Sequence, residues 1–294
     1  MSTANILLIV LGILTLAFVV VFVQDLIKHK DEILSDKNVT KNAIISSIIG
    51  FIVNFFDTLG IGSFAPATAL LRAAKQTEDR VIPGTLNVSC VLPVVLEAFL
   101  FIQKVEVEPI TLAGMLIAAV AGAYLGAGIV SKLHTNVIRI SMAIALFITG
   151  VILVLQLRGI FPSGGDAVGL TGIKLVIGIV VNFILGALMT AGIGLYAPCM
   201  ALVYLLGMSP LVAFPIMMGS CAYLMPVASI KFVKEGAYNK IASLAIAIFG
   251  LLGVWVAFKF VSGLDLTILK WLVVCVMAYT SVSLALAARK KESN

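Results

Sequence analysis

The chain alternates long apolar runs with short polar stretches. Runs at 6–23, 82–102, 111–131, 137–157, 211–233, 240–261 and 267–288 each approach or exceed 20 residues, the length that carries a helix across about 30 Å of hydrocarbon. Two further segments, 43–71 and 173–206, are longer and broken inside. The first reads Gly60-Ile61-Gly62-Ser63-Phe64-Ala65-Pro66, and the second, 132 positions later, Gly192-Ile193-Gly194-Leu195-Tyr196-Ala197-Pro198. Glycine admits backbone angles closed to other residues, and proline suits a helix's first turn because the N–H it lacks would be unpaired there. Each phrase therefore predicts a sharp turn followed by a new helix, begun at Pro66 or Pro198.

The echo extends beyond the phrase. At the same offset Ala69 and Leu70 recur, Pro83 meets Pro215, and at offsets near 131 Ser89-Cys90 meets Ser220-Cys221 and Gly122 meets Gly253. Leu133 to Arg139 overlays Leu264 to Lys270. The pattern predicts an all-α polytopic membrane protein: an N-terminal helix and basic loop (1–42), repeat 1 (43–157), a linker (158–172), repeat 2 (173–288) and a basic tail (289–294). Each repeat holds one broken segment and three ordinary spans, a construction common among transporters.

Charge chooses the topology. If the broken segments are re-entrant hairpins, the repeats are inverted and, with the N-terminus outside, 15 of the 20 Lys and Arg residues fall in the cytoplasm. Full crossing, nine spans in all, leaves 13 there. The positive-inside rule prefers seven spans and two hairpins. About 14 residues on either side of each Gly-Ile-Gly give arms of about 21 Å, past the midplane but short of the far side.

Composition sharpens the class. With 61% hydrophobic and 12% charged residues, the chain is far more apolar than a soluble domain. Its net charge of +6 lies in short loops, which fits membrane topology and not nucleic acid. Ile6 to Val23 lacks a small-residue cleavage site and reads as a retained helix. Cys90, Cys199, Cys221 and Cys275 lie in apolar segments without metal-ligand spacing, so no metal, cofactor or disulfide framework is expected. His29 and His134 fall in loops, Lys231 and Lys259 near span ends, where long side chains snorkel.

Candidate chemistry gathers at the breaks. A helix N-terminus at membrane depth offers free N–H groups and about half a positive charge, enough to attract a small oxyanion without a buried cation. The candidate substrate-binding residues are Asn54, Gly60, Gly62, Ser63, Pro66, Asn87, Ser89, Asn182, Gly192, Gly194, Tyr196, Pro198 and Ser220, with Thr85 beside them. Serine and glycine also serve plain helix packing, and asparagine bridges helices. Asp57 and Glu97 are carboxyls at depth and candidates for proton coupling. The other half offers no carboxyl in their places, only Leu185 or its neighbours and Ala228. A hydrolase would need a Ser–His pair, a His-Glu-x-x-His site or paired carboxylates at depth, so no enzyme is expected.

The duplicated Gly-x-Gly-x-x-Ala-Pro hairpins, the Pro-containing spans after them, and Gly-Ala-Tyr-Leu-Gly-Ala-Gly at 122–128 leading to Lys132-Leu133 and Val137-Ile138-Arg139 resemble the sulfite exporter TauE/SafE family, also called 4-toluene sulfonate uptake permeases. The likeness covers about residues 40 to 288. It implies a permease of a bacterial or archaeal inner membrane that moves sulfite, sulfoacetate or other sulfonates with a proton gradient. Such members often carry a Gly-Gly-Gly run where this chain has Gly62-Ser63-Phe64. The expected function is secondary transport of a small sulfur-containing anion held at the midplane between two broken helices. A passive anion channel and a carrier of non-sulfur organic anions are the alternatives, and a homodimer is a further expectation.

Overall fold

The computed structural model describes residues 3–101, 105–160, 164–260 and 267–289. Lys104, Pro162-Ser163 of the linker, positions 264–266 and the tail beyond Arg289 lie outside them. Every regular element among the described residues is helical: α1 (Thr3–Lys28), α2 (Lys30–Ser35), α3 (Val39–Thr58), α4 (Phe64–Ala73), α5 (Ile82–Phe101), α6 (Pro109–Val130), α7 (Thr135–Leu157), α8 (Gly172–Met189), α9 (Tyr196–Leu205), α10 (Pro210–Lys234), α11 (Lys240–Phe260) and α12 (Thr267–Arg289). Eight of these are long and apolar enough to cross a membrane, and the molecule is a multi-pass membrane protein.

The lipid-facing and central helices separate by burial. α5 and α10 are buried along most of their length, whereas α1 and α8 bury little of theirs, so α5 and α10 form the centre and the others surround them. Pairings interchange when the halves are swapped: α3 packs on α11 as α8 packs on α6, α5 on α11 as α10 on α6, α4 on α12 as α9 on α7. α5 meets α10 and α7 meets α12 across the middle. α1 lies outside this scheme, laid along α10 and α5.

Local chemistry sets the helix ends. Glu108 caps α6 by accepting from the backbone N–H groups of Ile110 and Thr111, with Pro109 in the first turn. The Thr111 hydroxyl, which also donates to Glu108 at 2.7 Å, and then those two N–H groups hold its carboxyl below the usual carboxylate range.

The breaks at 59–63 and 191–195 follow one hydrogen-bond pattern. The N–H of Gly60 donates to Asp57 O (2.8 Å) and that of Ile61 to Phe56 O (3.2 Å); Gly192 donates to Met189 O (3.0 Å) and Ile193 to Leu188 O (3.4 Å). Gly60 and Gly192 hold φ of +78° and +89°, a region open to glycine at little cost. Met189 therefore stands in Asp57's place, four residues from the Leu185 of the sequence reading. The arms are unequal where equal arms were expected. α3 and α8 have 20 and 18 residues and α4 and α9 have 10 each, so the first arms are about 27–30 Å long and the second about 15 Å. The chain turns after a full-length helix because the Gly-x-Gly lies late in each segment.

Two rims of loops bound the bundle. On the first, Asn239 donates its side-chain amide to Gln76 O (3.0 Å) and its backbone N–H to Thr85 Oγ1 (2.9 Å), and Tyr238 OH donates to Asp25. Ser46 of α3 also donates to Gln76 Oε1 (3.2 Å) there. On the second, Glu108 N–H donates to Val168 O (2.9 Å), Ser209 N–H to Ala167 O (2.8 Å), and Lys174 Nζ to Leu206 O (3.1 Å).

Candidate functional site

A narrow cavity of about 30 Å³ lies where the two breaks meet. Its walls include Asp57, Gly60, Gly62 and Ser63 from the first break and Gly192, Gly194 and Tyr196 from the second. The tips touch: a Cβ on Gly194 would lie 3.8 Å from Phe64 Cβ. α7 supplies a side wall from Ala145 to Gln156, and α10 and α12 supply Cys221 and Met277. The starts of α4 and α9 thus converge on one space, and the first backbone N–H groups of each have no carbonyl within their own helix to reach.

The first start carries its own carboxylate. Asp57, 1% exposed, accepts from Ser63 N–H at 2.7 Å and from Ser63 Oγ–H at 3.0 Å. A second carboxyl lies just behind the cavity: Glu97 of α5, wholly buried, accepts from Thr58 Oγ1 and from Tyr196 OH, both at 2.8 Å. Glu97 thereby links the end of α3 to the start of α9, one from each half. The lining residues contain no Lys, Arg or His. What positive potential the cavity has comes from the two helix starts, about half a charge each.

The remaining candidate residues stand between helices, off the cavity wall. Asn54 donates to Gly50 O (2.8 Å) and packs against Gly250 of α11. Asn182 donates to Met115 O (2.8 Å) and to Ser220 Oγ (2.9 Å), binding α8 to α6 and α10. Asn87 donates to Pro83 O (2.9 Å), with a longer approach to Met189 O (3.4 Å). Ser89 donates to Leu86 O (3.3 Å), and Thr85 to Val81 O (2.8 Å). Pro66 and Pro198 sit in the first turns of α4 and α9 without facing the cavity.

Sequence reasoning passed over Thr149 and Gln156, which line the cavity from α7. Gln156 Nε2 also approaches Met200 Sδ at 3.7 Å. The available signal was weak: two polar residues in the otherwise apolar stretch from Met142 to Leu157, seven apart and so on one helix face. Cys90, Cys199 and Cys221 are buried as expected of small apolar groups, while Cys275 is exposed. Among the described residues no group of three or more His, Cys, Asp or Glu side chains is placed to hold a metal.

Two broken segments meeting over a cavity without cationic side chains are a construction found among membrane transporters. The chain matches the family described as Sulfite exporter TauE/SafE over residues 1–153, more than half of its 294 residues, and it belongs to that family of membrane transporters. No curated protein and no solved structure matches the chain.

Proposed function

We propose that this protein is a secondary transporter for a small sulfur-containing anion, such as sulfite or an organosulfonate, bound near the midplane between the starts of α4 and α9. The observation that carries the reading is the shared cavity, walled by both Gly-x-Gly turns and free of cationic side chains. Helix starts can hold an oxyanion there without the cost of burying Lys or Arg. Membership of a family described as sulfite exporters supports a sulfur compound as the anion.

In this reading the two broken segments are re-entrant and the halves are inverted. α4 and α9, about 15 Å long, reach about half the hydrocarbon depth. The first hairpin begins and ends at the rim where Ser46 meets Gln76, and the second at the opposite rim, where Lys174 meets Leu206. The first rim carries most of the basic residues and faces the cytoplasm of a bacterial or archaeal cell. Asp57 and Glu97 carry the coupling proton, because they are the buried carboxyls at the junction of the two breaks.

The test is flux in proteoliposomes. Saturable sulfite or sulfonate uptake that is driven by an inward proton gradient and shows counterflow is expected. Currents without saturation would replace the carrier with a channel, and absence of flux for every sulfur oxyanion under any ion gradient would refute the assignment.

A further inference from the structure

Each short helix shares a cleft with a long one, and the two clefts stand in different states. Along α7 and α9 the central cavity is lined by Leu146, Thr149 and Leu153 and by Ala197 and Met200. At the sequence offsets of 131 for the spans and 132 for the breaks, their counterparts are Met277, Thr280 and Leu284 on α12 and Ala65 and Thr68 on α4. Met277 and Ala65 line the central cavity too. The residues beyond them are closed in: Thr68 and Leu284 are wholly buried and Thr280 is 1% exposed. One cleft is open where its counterpart is shut.

Just past the shut part, a second cavity of about 550 Å³ opens at the first rim, with Ala69, Arg72 and Ala73 of α4 and Thr280 and Ser283 of α12 in its wall. Ala65, Ala69 and Arg72 follow one face of α4, and Met277, Thr280 and Ser283 one face of α12. The rise from Ala65 to Ala69 is about 6 Å and that from Met277 to Thr280 about 4.5 Å. On each helix, about one turn separates the central cavity from the rim cavity.

Resting on the transport reading above, we propose that the route between the central cavity and the first rim runs through the α4–α12 cleft, gated by Thr68 and Thr280, and that the rim cavity is the port where the small anion enters or leaves. When α4 and α12 part, Thr68 and Thr280 take the places that Met200 and Thr149 hold in the open cleft, and α7 closes on α9. Inverted halves alternate access by exchanging states in this way. The rim cavity suits a port better than a binding site, because its Arg72 and Lys75 are matched by Glu78 and Asp79. A balanced set of charges passes an anion on without trapping it.

The experiment joins α4 to α12. Ala69→Cys and Ser283→Cys, both in the rim-cavity wall, are placed in a Cys275→Ser background and linked with a bifunctional maleimide, which is quenched before sulfite is added. Sulfite binding is read by thermal shift in detergent and sulfite counterflow in proteoliposomes. The linked protein is expected to bind sulfite within about twofold of the unlinked one and to lose counterflow by about tenfold or more, while each single-cysteine protein, treated alike, keeps it. Full counterflow in the linked protein would overturn the route. Loss of sulfite binding on linking would also overturn it, since the pair would then belong to the binding site. Should the cysteines not link, Thr280→Trp decides: it fills the cleft and is expected to show the same split, and full counterflow or lost binding would count against the route in the same way. Absence of sulfite counterflow in wild type would refute the transport reading itself, whereas an active wild type with an equally active linked protein refutes the route alone.

Discussion

At Lys75 the backbone φ is +53°, whereas the matching residue after the second break is Gly207 at +86°. Both end their short helix in the same way: Lys75 N–H donates to Arg72 O at 3.1 Å and Gly207 N–H to Tyr204 O at 3.0 Å, followed by Gln76 to Leu71 O and Met208 to Val203 O. A side chain in this region costs about 1–2 kcal/mol, partly offset because glycine leaves the unfolded chain freer. Lys75→Gly should therefore stabilise the protein by about 0.5–1 kcal/mol, and Gly207→Ala should destabilise it by about 1 kcal/mol. Thermal melting in detergent reads both, with opposite signs expected. Single residues are also where the sequence misleads most easily. A polar side chain at depth is visible in the sequence, but its partner is not. Asn54 and Asn182 lie against neighbouring helices, while Gln156, in an apolar span, faces the cavity. Hydropathy weighs a residue without saying which way it points.

Helix packing explains much of the glycine in this chain. A Cβ on Gly122 of α6 would come within 1.9 Å of Phe183 O on α8, and one on Gly253 of α11 within 2.3 Å of Phe51 O on α3. Phe51 and Phe183 are themselves 132 apart, so the two contacts are counterparts. A backbone carbonyl cannot swing aside as a side-chain end can, and the helices must part. Gly122→Ala and Gly253→Ala should each cost about 1–3 kcal/mol, seen as a lower melting temperature, while Gly12→Ala, with open space around it, should change little. At this scale the sequence was most legible. The spans read from apolar length at 82–102, 137–157 and 240–261 lie within a residue or two of α5, α7 and α11, because the thickness of hydrocarbon fixes how long an apolar helix must be. The positions of the breaks were legible for a different reason, since glycine and proline act locally. The unequal arms were not. Where a helix begins relative to the hydrocarbon depends on polar flanks such as 36–42, which hydropathy scores as loop although α3 already starts at Val39.

Across the whole molecule the two rims are held differently. The cavity wall follows α7 from Ala145 to Gln156, towards the second rim, and takes nothing from the ten residues of α7 nearest the first. At the first rim Asp79 accepts from Arg72 Nε and from Arg139 Nε, each at 2.8 Å, and Arg72 also donates to Ser283 Oγ at 2.9 Å. One carboxylate thereby ties the end of α4 to the start of α7 and, through Arg72, to α12. The matching position in the second half is Leu211, so the second rim has no such clasp at that place. An exposed pair is worth about 1 kcal/mol or less and a buried one costs about 3–5 kcal/mol to break; with Asp79 13% exposed and its partners 16% and 22%, removing it should cost about 2 kcal/mol. Asp79→Asn keeps the size and loses the charge, leaving two guanidinium groups facing a neutral amide. The expected result is a first rim that parts more readily. A cysteine introduced at Thr68, wholly buried on α4, in a background with exposed Cys275 replaced by serine, should react faster with a membrane-impermeant maleimide added from the first rim when Asp79→Asn is present. Equal labelling rates with and without the substitution would mean that packing alone closes that rim. The clasp would then merely brace the loop between α4 and α5, and the difference between the rims would rest on the helices themselves.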